Sequence, residues 1–182
     1  MPTPTVRPLS YGLGLAALLT PLFFCAHTPS TQQPAADRTG PVFTMRPIGK
    51  VVNRKGEPVR LEIAEPYRDG LLGLDQWSHV QVFYWFDKND TPQRRRVLQV
   101  HPRGKQENPL TGVFACRAPV RPNLIALSTC RVLEVKQADG VVVIEGIDAF
   151  DLTPILDLKP YAPGPDRAKE PLRVPDWARR GR

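Results

Sequence analysis

Two stretches gather side chains that bind charge at fixed angles. In residues 112–128, GVFACRAPVRPNLIALS, Arg117, Arg121 and Asn123 stand among Pro119 and Pro122. Proline fixes its own backbone and removes a donor, so the polar side chains beside it are held in place, as a binding site requires. In residues 148–161, DAFDLTPILDLKPY, the carboxylates Asp148, Asp151 and Asp157 lie near Thr153, Pro154 and a rigid Lys159-Pro160-Tyr161 corner. Two polar, proline-braced loops in one small domain read as a site. A plainer reading stands beside it: the Arg-Pro loop is a turn feeding a buried strand at 124–127, and Asp157, Lys159 and Tyr161 form an ion pair and a corner.

Arg94, Arg95, Arg96, His101, Arg103 and Lys105 form a third cluster. Guanidiniums engage phosphates through paired donors, so this patch suits an RNA backbone, and it equally suits a solvated loop. The formal charge of +7 and the pI near 9.7 fit a polyanionic partner or a generally basic protein. Cysteines at 25, 116 and 130 and histidines at 27, 79 and 101 make no zinc-ligand spacing, so no metal is expected. Cys116 and Cys130 are able to pair in an oxidising compartment. The chain carries neither a Walker loop nor a GxGxxG after a strand, which sets aside the common α/β routes to nucleotides.

These loops need a scaffold, and the scaffold reads as β. Apolar or alternating runs at 48–52, 59–63, 80–86, 96–100, 124–135 and 141–147 are separated by Gly, Pro and Asp, the spacing of a small barrel or sandwich. In the run 79–86, Val80, Val82, Tyr84 and Phe86 share one face, as core or subunit contacts. Twenty-one prolines argue against a helical bundle. Helix is limited to a turn within 71–77 and another near 176–180.

The ends differ in character. Residues 1–26 hold Arg7 and an apolar run from Tyr11 to Ala26, the length of a signal-peptide core and short for a spanning helix. Cys25 ends the run where a lipoprotein cysteine stands, although Phe23 and Phe24 are bulky for that role. Residues 27–44 read as a disordered linker. Met45 opens the next segment, so translation from Met45 gives a cytoplasmic protein, whereas the full chain is exported or membrane-anchored through 1–26. The domain itself spans 45–163. A basic tail, 164–182, follows, with Trp177 pinning part of it to the barrel.

The two motifs resemble those of the TsaA-like family, GVFATRSPxRPNPIGLS and DLLDGTPxLDIKPY, over about residues 45–163. That family comprises small antiparallel β-barrels and includes S-adenosyl-L-methionine-dependent methyltransferases acting on threonylcarbamoyl-adenosine beside the tRNA anticodon. The resemblance implies an all-β barrel with little helix, S-adenosyl-L-methionine as cofactor, tRNA as substrate and a homodimer. It places the cofactor against Glu57, Pro58, Val59, Asp87, Lys88, Arg117, Leu127, Asp148, Asp151, Thr153 and Pro154. Asp151 or Asp148 is the expected proton acceptor. Arg121, Asn123, Lys159 and Tyr161 are expected to reach substrate or to orient the loop, and Arg95, Arg96, Arg103 and Lys105 to meet the RNA.

Leu124 stands for a proline of the family pattern, Ala126 for a glycine and Leu152 for the glycine of DGTP. Asp87 stands where the family has a histidine. A glycine in such a turn usually serves a positive φ, which leucine adopts only at a cost. Two functions stay open: a cytosolic tRNA methyltransferase, and an exported TsaA-like domain that binds a ligand or partner without transferring methyl.

Overall fold

The computed structural model describes residues 40–179. The expectations for residues 1–26, and for 27–39 of the linker, lie outside the described residues. The compact unit beginning at Phe43 is built on eight strands: β1 (Gly49–Val52), β2 (Val59–Ile63), β3 (His79–Trp85), β4 (Gln99–Val100), β5 (Thr111–Gly112), β6 (Ile125–Lys136), β7 (Val141–Ile144) and β8 (Pro154–Pro160). Six of them close into an antiparallel barrel in the order β1-β2-β7-β6-β3-β8, and β4 and β5 pair apart from it. The all-β barrel expected from the sequence is present.

The pleat explains the closure. Side chains alternate across a strand, so β3 sends Val80, Val82 and Tyr84 inward to full burial and turns His79, Gln81, Phe83 and Trp85 outward. They meet Val51, Leu61, Ile63, Ala126, Cys130, Val142, Ile144 and Ile155 in one core. Burial of each larger side chain is worth about 1.5–3 kcal/mol. Short 3-10 helices at Glu65–Leu71 and Leu74–Gln76 join β2 to β3 and contribute Leu71 and Leu74 to the same core. Cys116 and Cys130 are free thiols, and burial pushes the Cys130 thiol up to about 11.

Two sequence readings change. The segment 154–160 was expected as loop but is β8, paired with β3 and β1. Its apolar spacing is irregular because a bulge shifts the register: Tyr84 faces Ile155 while Phe83 faces Asp157, so the inward residues Ile155 and Leu158 are three apart rather than two. The run 96–100 is not a barrel strand. Thr91 accepts the Arg94 amide and Pro92 opens a helical turn, Pro92–Arg95, just before the run, whose last two residues, Gln99–Val100, pair with Thr111–Gly112 instead of joining the barrel. Trp177 lines a groove with Glu107, Asn108 and Pro109, so it neighbours that loop instead of the barrel.

Leu152 has φ 65, the left-handed conformation that glycine adopts freely. Its amide donates to the Val51 carbonyl at 2.8 Å, which holds the turn against β1. Leu152→Gly is therefore expected to stabilise the protein by about 0.5–1 kcal/mol, the left-handed cost less glycine's extra chain entropy. A thermal melt showing no gain contradicts the strain. A protein spanning residues 45–182 is expected to fold alone, because it holds every barrel strand; circular dichroism showing a helical or unfolded spectrum contradicts this.

Candidate functional site

Antiparallel registers bring the end of β3, the start of β6 and the start of β8 to one mouth of the barrel: Trp85 pairs with Ile125, and Tyr84 with both Ala126 and Ile155. A cavity of about 600 Å³ opens there. Its walls come from Tyr84, Phe86 and the turn after β3, from Arg117 to Arg121 before β6, and from Asp148, Ala149, Phe150 and Thr153 before β8. Volume and mixed lining are those of a small-molecule site.

Each wall is wired to the barrel. Tyr84 sits 5.8 Å from Phe86, edge to face, and its hydroxyl donates to the Asp148 carbonyl at 2.7 Å and shares a hydrogen bond with Ser128 Oγ at 3.3 Å. Burial first, then the nearby Asp148 carboxylate, raise the Tyr84 phenol, which stays a neutral donor. Arg117 Nη1 donates to the Leu127 carbonyl at 3.2 Å, which ties the proline-braced loop to β6. Arg121 Nη2 donates to the carbonyls of Val113 and Cys116, while its Nε is buried with no partner. Arg121 thus orients the loop from the cavity's edge.

The segment before β8 is fixed from β1. The Asn53 amide donates to Asp151 Oδ1 at 3.0 Å, Asn53 Nδ2 to the Ala149 carbonyl at 2.7 Å, and Arg54 Nε to Asp151 Oδ2 at 3.3 Å. The Asn53 amide, with Arg54 behind it, holds the Asp151 carboxyl below the usual range.

Of the residues singled out in the sequence, the cavity gathers Asp87, Lys88, Arg117, Arg121, Leu127, Asp148 and Thr153. Asp151 lies outside its lining, occupied by the Asn53 and Arg54 clamp. Glu57, Pro58 and Val59 stand at the same mouth but off the cavity, with Glu57 paired to Arg60 at 3.2 Å. Pro154 starts β8, also outside the lining, and Asn123 is exposed before β6. Lys159 and Tyr161 are at the far end of β8: Lys159 pairs with Asp157 at 3.3 Å, and Tyr161 packs against His79 with ring centroids 6.4 Å apart. Neither residue is in the cavity lining.

The basic patch also divides. Arg95 bonds Asp90 at 2.7 Å and lies over the Trp85 ring at 5.2 Å. Arg96 and Arg103 are exposed, and Lys105 pairs with Glu107 at 3.7 Å. Only Arg94 of this cluster lines the cavity. No local pattern in the sequence marks Arg94, Tyr84, Phe86, Ser128 or Phe150 as cavity residues. The alternation of β3 already placed Tyr84 and Phe86 on the inner face; the register that opens that face to a cavity was the missing part.

The chain matches the family model described as the tRNA-methyltransferase O N-terminal domain over residues 47–167. It is 40% identical over 128 residues to a probable S-adenosyl-L-methionine-binding protein of Pyrococcus horikoshii, covering 70% of this chain and 89% of that protein. A protein of the same description from Methanocaldococcus jannaschii is 39% identical over 121 residues, covering 66% and 94%. Among solved structures, TrmO from Pseudomonas aeruginosa superposes with a TM-score of 0.55 at 28% identity, over 72% of this chain and 61% of that one. The chain therefore spans less than two thirds of that TrmO chain. Barrel, motifs and match agree: the chain belongs to the family of the tRNA-methyltransferase O N-terminal domain.

Proposed function

We propose that this chain is an S-adenosyl-L-methionine-dependent methyltransferase acting on N6 of threonylcarbamoyl-adenosine next to the tRNA anticodon. The observation that carries the reading is the cavity at the barrel mouth, which puts aromatic faces, carboxylates and guanidiniums around one space of about 600 Å³. An adenosyl amino acid asks for that set. Phe86 and Phe150 offer flat apolar surface to an adenine ring. Arg117 offers a guanidinium to the amino-acid carboxylate, and Asp148 a carboxylate to the cationic groups.

When bound, the cofactor supplies a methyl group on a sulfonium, open to in-line displacement by a nitrogen. The chain's work is then orientation and proton handling. Tyr84 and Ser128 hold the segment carrying Asp148 through the hydroxyl bonds at the barrel mouth. Asp148, in the lining, accepts the proton that leaves the acceptor nitrogen. Asp151 acts as a positioning residue, clamping its loop to Asn53 and Arg54. Exposed Arg96, Arg103 and Lys105 suit the RNA backbone. Pairing of two copies and the compartment of the protein are part of the proposal, with the outward Phe83 and Trp85 of β3 as candidate contacts.

The purified protein is expected to bind S-adenosyl-L-methionine by calorimetry. Arg117→Ala is expected to weaken that binding by about 1.5–3 kcal/mol, roughly ten- to a hundredfold, through loss of a charge-assisted contact. Lys105→Ala is expected to leave cofactor binding unchanged and to lower the salt dependence of tRNA binding. No heat at millimolar cofactor overturns the enzyme reading. Cofactor binding without methyl on the tRNA nucleoside, read by mass spectrometry, leaves a TsaA-like ligand-binding domain.

A further inference from the structure

Arg94 is built into the cavity more firmly than its exposure suggests. After β3 the Phe86 amide is tied to the Leu124 carbonyl at 2.9 Å, and the chain then makes successive turns, each bonded to an earlier residue: Asn89 to Phe86 at 2.8 Å, Thr91 to Asn89 at 2.9 Å and Arg95 to Thr91 at 3.0 Å. The Arg94 amide bonds the Thr91 hydroxyl at 3.2 Å, and its Nη1 donates to Oδ1 of Asn89, which is itself buried. The arginine is therefore held at both its backbone and its head. A guanidinium has five N–H donors in a fixed fork, so one bond to Asn89 leaves further donors at the cavity wall.

Charge shows what they await. The lining carries four cations, Lys88, Arg94, Arg117 and Arg121, against two carboxylates, Asp87 and Asp148. Lys88 and Asp87 pair at 3.3 Å, and Arg121 spends Nη2 on backbone carbonyls. Neutral carbonyls leave the Arg121 charge in place, so Arg94, Arg117 and Arg121 stand against Asp148, the other carboxylate of the lining. A ligand that carries one sulfonium, one ammonium and one carboxylate adds net positive charge and brings a partner for one guanidinium only. An anion on the second ligand of the reaction would therefore find an unmatched guanidinium in the lining.

We propose that Arg94 is a specificity-determining residue that binds a carboxylate on the substituent of the acceptor nitrogen, separate from the cofactor's own carboxylate. This rests on the methyltransferase reading above and gives it a selection rule: an acceptor adenine without an acidic substituent is a poor substrate. The alternative source of the same anionic chemistry is a backbone phosphate.

The test uses the full chain. Binding of N6-threonylcarbamoyladenosine and of its carboxyl methyl ester is titrated in the presence of S-adenosylhomocysteine, and acceptor KM is measured on tRNA, for the wild type, Arg94→Ala and Arg94→Lys. The expected result is that wild type prefers the acid over the ester at least tenfold. Arg94→Ala is expected to lose that preference and to raise acceptor KM about tenfold, while cofactor Kd shifts less than twofold. Arg94→Lys is expected to recover part of the preference, by charge without the fork. Equal binding of acid and ester by the wild type overturns the proposal. Equal weakening of cofactor and acceptor by Arg94→Ala overturns it too. So does a loss on tRNA alone with a shallower salt slope, which assigns the anion to a phosphate. If discrimination in the binding arm depends on Arg94 while no acceptor is methylated, the inference stands and the methyltransferase reading fails.

Discussion

Closure of the barrel through β3 is the constraint on which everything else rests. β3 pairs along its length with β6 on one side and with β8 on the other, and neither pairing is local in sequence. A closed barrel has no free edges, so the backbone donors and acceptors of its six strands are satisfied by neighbours. It also forces connections to emerge only at two mouths. One receives the 3-10 turns that bring Leu71 and Leu74 into the core. The other receives the turn after β3, the Arg117 loop and the segment before β8, and those three walls make the cavity.

The mouth keeps its shape through bonds from the barrel to each wall. Asn53, at the end of β1, holds Asp151 and Ala149; the Leu127 carbonyl takes Arg117; the Phe86 amide reaches Leu124. The departures from the family pattern fit this frame at different costs. Leu124 is fully buried, so an apolar residue in place of proline adds core. Ala126 is buried on the inner face opposite Tyr84, where one methyl replaces a glycine's hydrogen. Leu152 alone takes a glycine's backbone conformation, with its side chain 55% exposed beside Phe150 at 69%. The rim of the cavity is consequently more apolar and more strained than the family pattern implies.

Carboxylates and guanidiniums divide their work by position. Asp151 and Arg121 point their hydrogen bonds at backbone and fix loops. Asp90 and Arg95 bond each other and Trp85 on the outer face, and the Arg95 hydrogen bond holds the Asp90 carboxyl below its usual range. Asp148, Arg94 and Arg117 stand in the cavity lining. Residue type alone does not separate these groups, because an acid in a polar loop reads the same whether it clamps an amide or faces a ligand.

The sequence by itself determined the fold class, five of the six barrel strands and the two site motifs. Alternation across 79–86 requires a half-buried strand, and prolines among arginines require a stiff polar loop. Those are local properties, carried by period and by backbone restriction. Only the tertiary structure decided that 154–160 is a strand, since the bulge at Leu156 breaks the period by which a strand is recognised. It alone decided that Lys159 and Tyr161, in the same motif as Asp148, lie at the opposite end of the barrel: a strand carries its ends apart by about 3.3 Å per residue, so one contiguous motif reaches both mouths. And it alone brought Arg94 to Arg117 and Asp148, because strand register, which depends on pairing between distant segments, sets which loops share a mouth.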